Sequence, residues 1–166
     1  MEEPRTENQE PRAKGPYSFR NLILWQKAQE LALAVIKVLA TLPRGDAAQI
    51  IARQLVASAG SIGANVAEGH GRFSLAAHRN HLSIAKGSAC ETDGWLYLLR
   101  RAGYLDPDIE RGLHQDCQEI IRMLTAKILD LERRENRRGL ATLRENSSPY
   151  EAADYLPDDQ VLGSGF

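Results

Sequence analysis

SAGSIGANVAEGHGR, residues 58–72, decides how this chain is read. Closely spaced glycines ahead of an arginine suggest a loop that cradles phosphate. Small residues without a proline suggest instead a helix that lets its neighbours come close. The phosphate reading fails on context. A P-loop is G-x-x-x-x-G-K-[ST] placed after a strand. No lysine follows Gly69 or Gly71, and no strand pattern precedes them. The dinucleotide fingerprint fails too, because Ser74 stands where Gly69-x-Gly71 needs a third glycine. From Gln54 to Ala67 the chain has 14 residues and no charge. An ordinary surface helix turns a charged face to water. Glycine inside a helix costs about 1 kcal/mol relative to alanine, so small residues on an outward face point to another backbone approaching there.

Four helical patterns surround this stretch, with no strand alternation among them. Leu24, Ala28, Leu31, Val35, Val38 and Leu42 repeat at three- and four-residue steps over about 22–42, where Pro43 and Gly45 close the pattern. The second opens at Asp46, with Gln49 three residues on as a capping box requires. Its inner face is Ile51, Leu55, Ser58, Ile62 and Val66, and Gly69 is expected to end it in a left-handed turn. The third runs from Ser74 to Gly103 on Leu75, Leu82, Ala85, Ala89, Leu96 and Leu99. The fourth opens at Asp106 and Pro107, a strong start signal, and continues through Ile109, Leu113, Cys117, Ile120, Leu124, Ile128 and Leu131 to about Arg138. Short connections between long helices make neighbours antiparallel. The expected fold is all-α, an up-down-up-down antiparallel four-helix bundle over residues 18–138.

The 166 residues fit one domain with tails. Residues 18–138 carry 17 basic and 13 acidic side chains, a net of +4. Residues 1–17 have a net of −1, and residues 139–166 have 1 basic against 5 acidic, a net of −4. Both ends have too few apolar residues to fold alone, and disorder is the expectation. The sharper alternative for the second is a short docking segment, since Tyr150, Tyr155 and Phe166 are scattered among its acids. The first residues lack the apolar stretch of a signal peptide, and no run approaches the roughly 18 apolar residues of a membrane span. Two cysteines make no disulfide scaffold. A reduced, cytoplasmic protein without a membrane partner is the expectation.

Helices two and three read as apolar nearly all round. Val56, Gly60, Gly63, Ala64 and Ala67 lie opposite the Ile51–Val66 face. Gly87, Gly94, Trp95 and Leu98 lie away from the inner face of helix three, as does Ile84. A helix apolar on both sides is buried on both, which a single bundle does not achieve. Val56, Gly60, Gly63, Ala64, Gly87, Gly94, Trp95 and Leu98 are therefore candidates for a subunit interface in a homo-oligomer. Asn65, Glu68 and Arg72 fall together at the end of helix two as a structural polar cluster, with Glu91 a similar case.

At these residues the chain resembles the four-helix bundle proteins also known as 23S rRNA-intervening-sequence proteins. FRNLILWQKAQELA (19–32), QLVASAGSIGANVAEGHGRFS (54–74), IAKGSACE (84–91) and LRRAGYL (99–105) carry the resemblance, the second through the motif N-[IV]-A-E-G-x-G-R. It runs from Phe19 to about Leu131. It implies an all-α subunit, a ring-like homo-oligomer and plausibly a pentamer. Some members are encoded inside inserts of ribosomal RNA genes. A distantly similar group assists the reverse transcriptase of diversity-generating retroelements and binds RNA and the polymerase through basic surfaces. No catalytic chemistry is established for the family. Thr92 stands where the family more often has Leu, and Gly94 adds a further small residue.

Arg100 and Arg101 near the end of helix three, and Arg133, Arg134, Arg137 and Arg138 at the end of helix four, are the candidate RNA or DNA contacts. Arg79 and Lys86 extend them. Such cations would give salt-dependent, largely sequence-independent binding. The plainer reading is that cations late in a helix complement its dipole, and Glu132 and Glu135 interrupt the run. No enzyme is expected: no nucleophile has a base at a recognisable spacing, and no cofactor is implied. His78 and His81 would need a third ligand to hold a metal, with His70 or Glu68 as candidates; a packed or surface histidine pair is the plainer reading. Cys90 and Cys117 read as small hydrophobes. The alternative to a nucleic-acid-binding accessory factor is a protein-binding structural adaptor.

Overall fold

The computed structural model describes residues 18–43 and 45–146. One 3₁₀ turn, Phe19–Asn21, leads into four helices: α1 Ile23–Leu39, α2 Asp46–His70, α3 Leu75–Arg101 and α4 Pro107–Asn146. They form the antiparallel up-down-up-down bundle, and no strand occurs among the described residues. None of these helices is long and apolar enough to cross a membrane. Expected disorder in residues 1–17 and beyond 146 lies outside the described residues.

Local chemistry places most helix ends. The Ser74 hydroxyl accepts from the Ala77 amide, and Asp106 Oδ1 accepts from the Asp108 and Ile109 amides, which occupies donors a helix start leaves free. Gly103 takes φ +75° beyond α3, with the Gly103 amide donating to the Arg100 carbonyl and the Tyr104 amide to the Leu99 carbonyl. That is a Schellman close, and a residue with Cβ is disfavoured at its left-handed position.

Three expectations are corrected. Asp46 is the first helical residue rather than the cap; Gly45 is the cap, without a side-chain capping bond. Gly69 does not end α2 in a left-handed turn. It lies within the helix and is buried, and α2 runs on to His70. Its missing Cβ matters because α3 is too near: an added one would sit 3.1 Å from both His78 Cδ2 and His81 Cβ, and 3.3 Å from the His78 carbonyl. Finally, α4 continues to Asn146, eight residues past the expected boundary at Arg138.

The core follows the predicted faces except at Ile109, which is exposed in the first turn of α4, so the buried face of that helix starts at Leu113. Leu31, Leu55, Ile62, Leu82, Leu96, Leu99, Ile120 and Leu124 are among its largest fully buried side chains. Ser58 and Thr92 are its buried polar residues. Thr92 donates to the Ser88 carbonyl (2.8 Å) and lies 3.0 Å from Ser58 Oγ, and Ser58 donates to the Leu55 carbonyl (3.1 Å). Each hydroxyl thus has a carbonyl of its own helix, which removes the penalty of burying it and joins α2 to α3 at one register.

Gly63 and Gly69 test close packing differently. A Cβ at Gly63 would meet the Gln29 side-chain amide, a flexible end that can swing away. Gly63→Ala is expected to leave stability within about 1 kcal/mol of wild type, helped by alanine's helix propensity. Gly69→Ala must displace α3 backbone and is expected to cost about 1–3 kcal/mol. Urea unfolding of both variants measures the difference; equal stabilities would contradict the packing described.

Candidate functional site

The eight nominated cations do not form one surface. Arg100 lies 3.4 Å from Glu110 at the start of α4. Arg133 is 23 residues further along that helix, about 35 Å at 1.5 Å per residue. One group sits where α3 ends and the other where α3 begins. At the first pole, Arg100 and Arg101 share the Tyr97 ring, with guanidinium carbons 5.3 and 5.9 Å from its centroid. Arg101 also donates to the Tyr97 hydroxyl (3.2 Å). Arg100 Nε is buried without a hydrogen bond, its compensation being the Glu110 carboxylate.

At the second pole the pairing leaves a clear remainder. Arg79 reaches from α3 to both Glu132 (3.6 Å) and Glu135 (3.4 Å). The two acids that interrupt the basic run in sequence are therefore turned toward α3. Arg134 is held by Asp130, at 2.9 and 3.1 Å. Arg133, Arg137 and Arg138 are exposed and have no carboxylate partner among the described residues. Lys86 has none either but is half-buried on α3. From Asn136 to Thr142 every residue of α4 is exposed, so the helix stands beyond the bundle there.

The polar cluster has a different centre from the expected one. Glu68 and Arg72 are 3.8 Å apart, but His81 links them: its Nδ1 lies 3.2 Å from Glu68 Oε2, and Arg72 Nε donates to its Nε2 (3.0 Å). This arrangement fits the tautomer with the proton on Nδ1. Asn65 donates to the Ser61 carbonyl, and its Oδ1 lies 3.5 Å from His81 Nδ1. Glu91 is not in the cluster; it accepts from the Trp95 indole (3.1 Å) on α3. No group of three or more His, Cys, Asp or Glu is arranged for a metal ion among the described residues. Sequence reasoning placed His81 with His78 by spacing; only the α2–α3 register puts it on Glu68 and Arg72.

The expected subunit interface divides as well. Gly63 is buried inside the subunit against Ala28 and Gln29 of α1, so it serves α1–α2 packing. Val56 and Trp95 are half-buried against the core. Gly60, Ala64, Gly87, Gly94 and Leu98 are exposed. A Cβ at Gly60, Gly87 or Gly94 would meet nothing within 4 Å. No contact within the subunit accounts for glycine at those three positions.

One cavity was not anticipated. About 660 Å³ lies at the second pole between the start of α1, the end of α2, the start of α3 and α4, with Leu22, Leu24, Leu82, Met123, Ala126 and Lys127 among its walls. His70, His78 and Asp130 supply further polar groups. Burial pushes the His78 imidazole below its ordinary range, and the nearby Lys127, His70 and His81 act in the same direction. No periodicity signals such a site, because its walls come from the ends of three helices and the middle of α4.

A family model described as 23S rRNA-intervening sequence protein matches residues 20–126. A crystal structure of a protein of unknown function from the S23 ribosomal protein family of Bacteroides thetaiotaomicron is similar to this chain at 30% identity and a TM-score of 0.60. The similarity covers 64% of this chain and 98% of that one. No curated protein matches.

The two thiols give a direct check of the core. Cys117 is buried, and burial pushes its thiol up to about 12, whereas Cys90 is exposed. The thiolate is the reactive form. In the native protein at pH 8, a thiol reagent is expected to leave Cys117 unmodified, with Cys117 reacting only after unfolding. Mass spectrometry of the labelled peptides reports this; rapid native labelling of Cys117 would contradict the burial.

Proposed function

The chain belongs to the 23S rRNA-intervening sequence protein family, and from that premise we propose that it is a non-catalytic, homo-oligomeric RNA-binding accessory factor. The carrying observation is the remainder at the α4 end: Arg133, Arg137 and Arg138 stay exposed after the neighbouring acids are taken up by Arg79 and after Asp130 is taken up by Arg134. Exposed arginines on a projecting helix neutralise phosphates without reading bases. The unexplained glycines at 60, 87 and 94 support assembly through the outer side of α2 and α3, with a pentamer the form the family resemblance favours. A ring multiplies the arginine group once per subunit, which strengthens its local field. A partner such as a reverse transcriptase fits the same reading, as does an association with a ribosomal RNA insert.

The second reading, a protein-binding adaptor without nucleic-acid affinity, draws on exposed Leu33 and Ile36 of α1. Titration of labelled structured and single-stranded RNA at several salt concentrations separates the two. Affinity is expected to fall linearly with salt on logarithmic axes. Arg133→Ala/Arg137→Ala/Arg138→Ala together are expected to weaken binding at least about tenfold and to flatten that slope by roughly one per lost phosphate contact. Arg79→Ala is expected to weaken binding far less. No RNA affinity at low salt, or affinity insensitive to the triple substitution, would overturn the proposed RNA contact.

A further inference from the structure

The cavity at the α4 pole has apolar walls from four helices, and Lys127 and Asp130 are its charged lining residues. Lys127 lies 3.7 Å from Asp130, which Arg134 already holds at 2.9 Å. Met123, Ala126, Lys127 and Asp130 line the cavity, and the same side of α4 continues at helical spacing through Arg134 and Arg138. An occupant suited to it has an apolar part for the walls and carboxylates for the exposed Arg138 beyond. Pockets of this size bury compact apolar groups with few polar contacts.

One segment of this chain has that composition and is tethered beside the site. Residues 147–166 contain four acidic side chains and no basic one. Within them YLPDDQVL, residues 155–162, sets Tyr155, Leu156, Val161 and Leu162 around Asp158 and Asp159. We propose that residues 155–162 seat in the cavity of their own subunit, the apolar side chains against Leu22, Leu24, Leu82 and Met123 and the aspartates toward the exposed Arg138, which has no carboxylate partner among the described residues.

The geometry allows it. From Asn146 back along α4 to the cavity is about 27 Å, from 18 residues at 1.5 Å each. The 9 to 16 residues from Asn146 to positions 155–162 reach about 30–53 Å when extended. Tethering at this range gives an effective concentration on the order of millimolar, so weak contacts suffice. Residues 1–17, which precede Leu22 of the cavity wall in sequence, are a poorer match: they mix three basic with four acidic side chains, and Tyr17 is their one aromatic. Seating the acidic segment lays carboxylates over Arg138, one of the three arginines assigned to RNA. The segment then competes with RNA, a consequence that rests on the proposed function.

The sequence supplies its own probe, since its two methionines are Met1 and Met123. The full-length chain labelled with ¹³C-methyl methionine gives one resonance from the cavity wall. Leu156→Asp/Leu162→Asp is expected to move the Met123 methyl signal, and a synthetic peptide of residues 150–166 to return it toward its original position. Tyr17→Ser is expected to leave it in place. A Met123 signal unmoved by the double substitution, or moved only by Tyr17→Ser, overturns the proposal. Both readouts are made without nucleic acid. If the signal responds but the chain binds no RNA, docking stands and the RNA reading falls. If the signal responds and RNA is bound, the double variant is expected to bind RNA several-fold more tightly.

Discussion

How closely α2 lets its neighbours approach is the constraint on which the rest of the structure depends. Its central 14 residues carry no charge. On one flank Gly63 admits Gln29 and Ala28 of α1, and on another Gly69 admits His78 and His81 of α3. Ser58 meets Thr92 between them at 3.0 Å. Dispersion falls steeply with separation, so a helix lined by small residues gains contact area that larger side chains would hold apart. The register set by these contacts carries Arg79 to Glu132 and Glu135, and Arg100 to Glu110. The distribution of free cations at the two poles follows from packing in the middle of the bundle.

This dependence explains why partly exposed ion pairs matter here for placement more than for stability. Exposed pairs contribute at most about 1 kcal/mol each. Their effect is to decide which arginines remain available. With Glu132 and Glu135 turned to α3, the outward side of α4 is basic even though its sequence alternates in sign.

Features set by local chemistry were legible in the sequence. Asp106–Pro107, Ser74 and Gly103 announced helix ends because a cap or a left-handed turn is encoded within four residues. The buried faces were legible from periodicity, apart from Ile109, which keeps the spacing but lies exposed in the first turn of α4. Gly63 and Gly69 were not, since their need for a hydrogen in place of Cβ comes from side chains of other helices. The last turns of α4 were missed because Arg137, Arg138 and Gly139 give no apolar repeat to follow. His81 as the link between Glu68 and Arg72, and the cavity shared by four helices, arise only when the register is fixed.

Gly60, Gly87 and Gly94 remain small for no reason internal to the subunit, and the proposed sister chain against α2 and α3 would supply one. Absolute mass in solution tests this most directly. Light scattering on the wild type is expected to give a multiple of the 18.4 kDa chain mass. Gly60→Leu and Gly94→Leu are expected to lower the mass toward one chain while far-UV circular dichroism stays unchanged. A monomeric wild type, or an assembly of the same mass in both variants, would contradict the account.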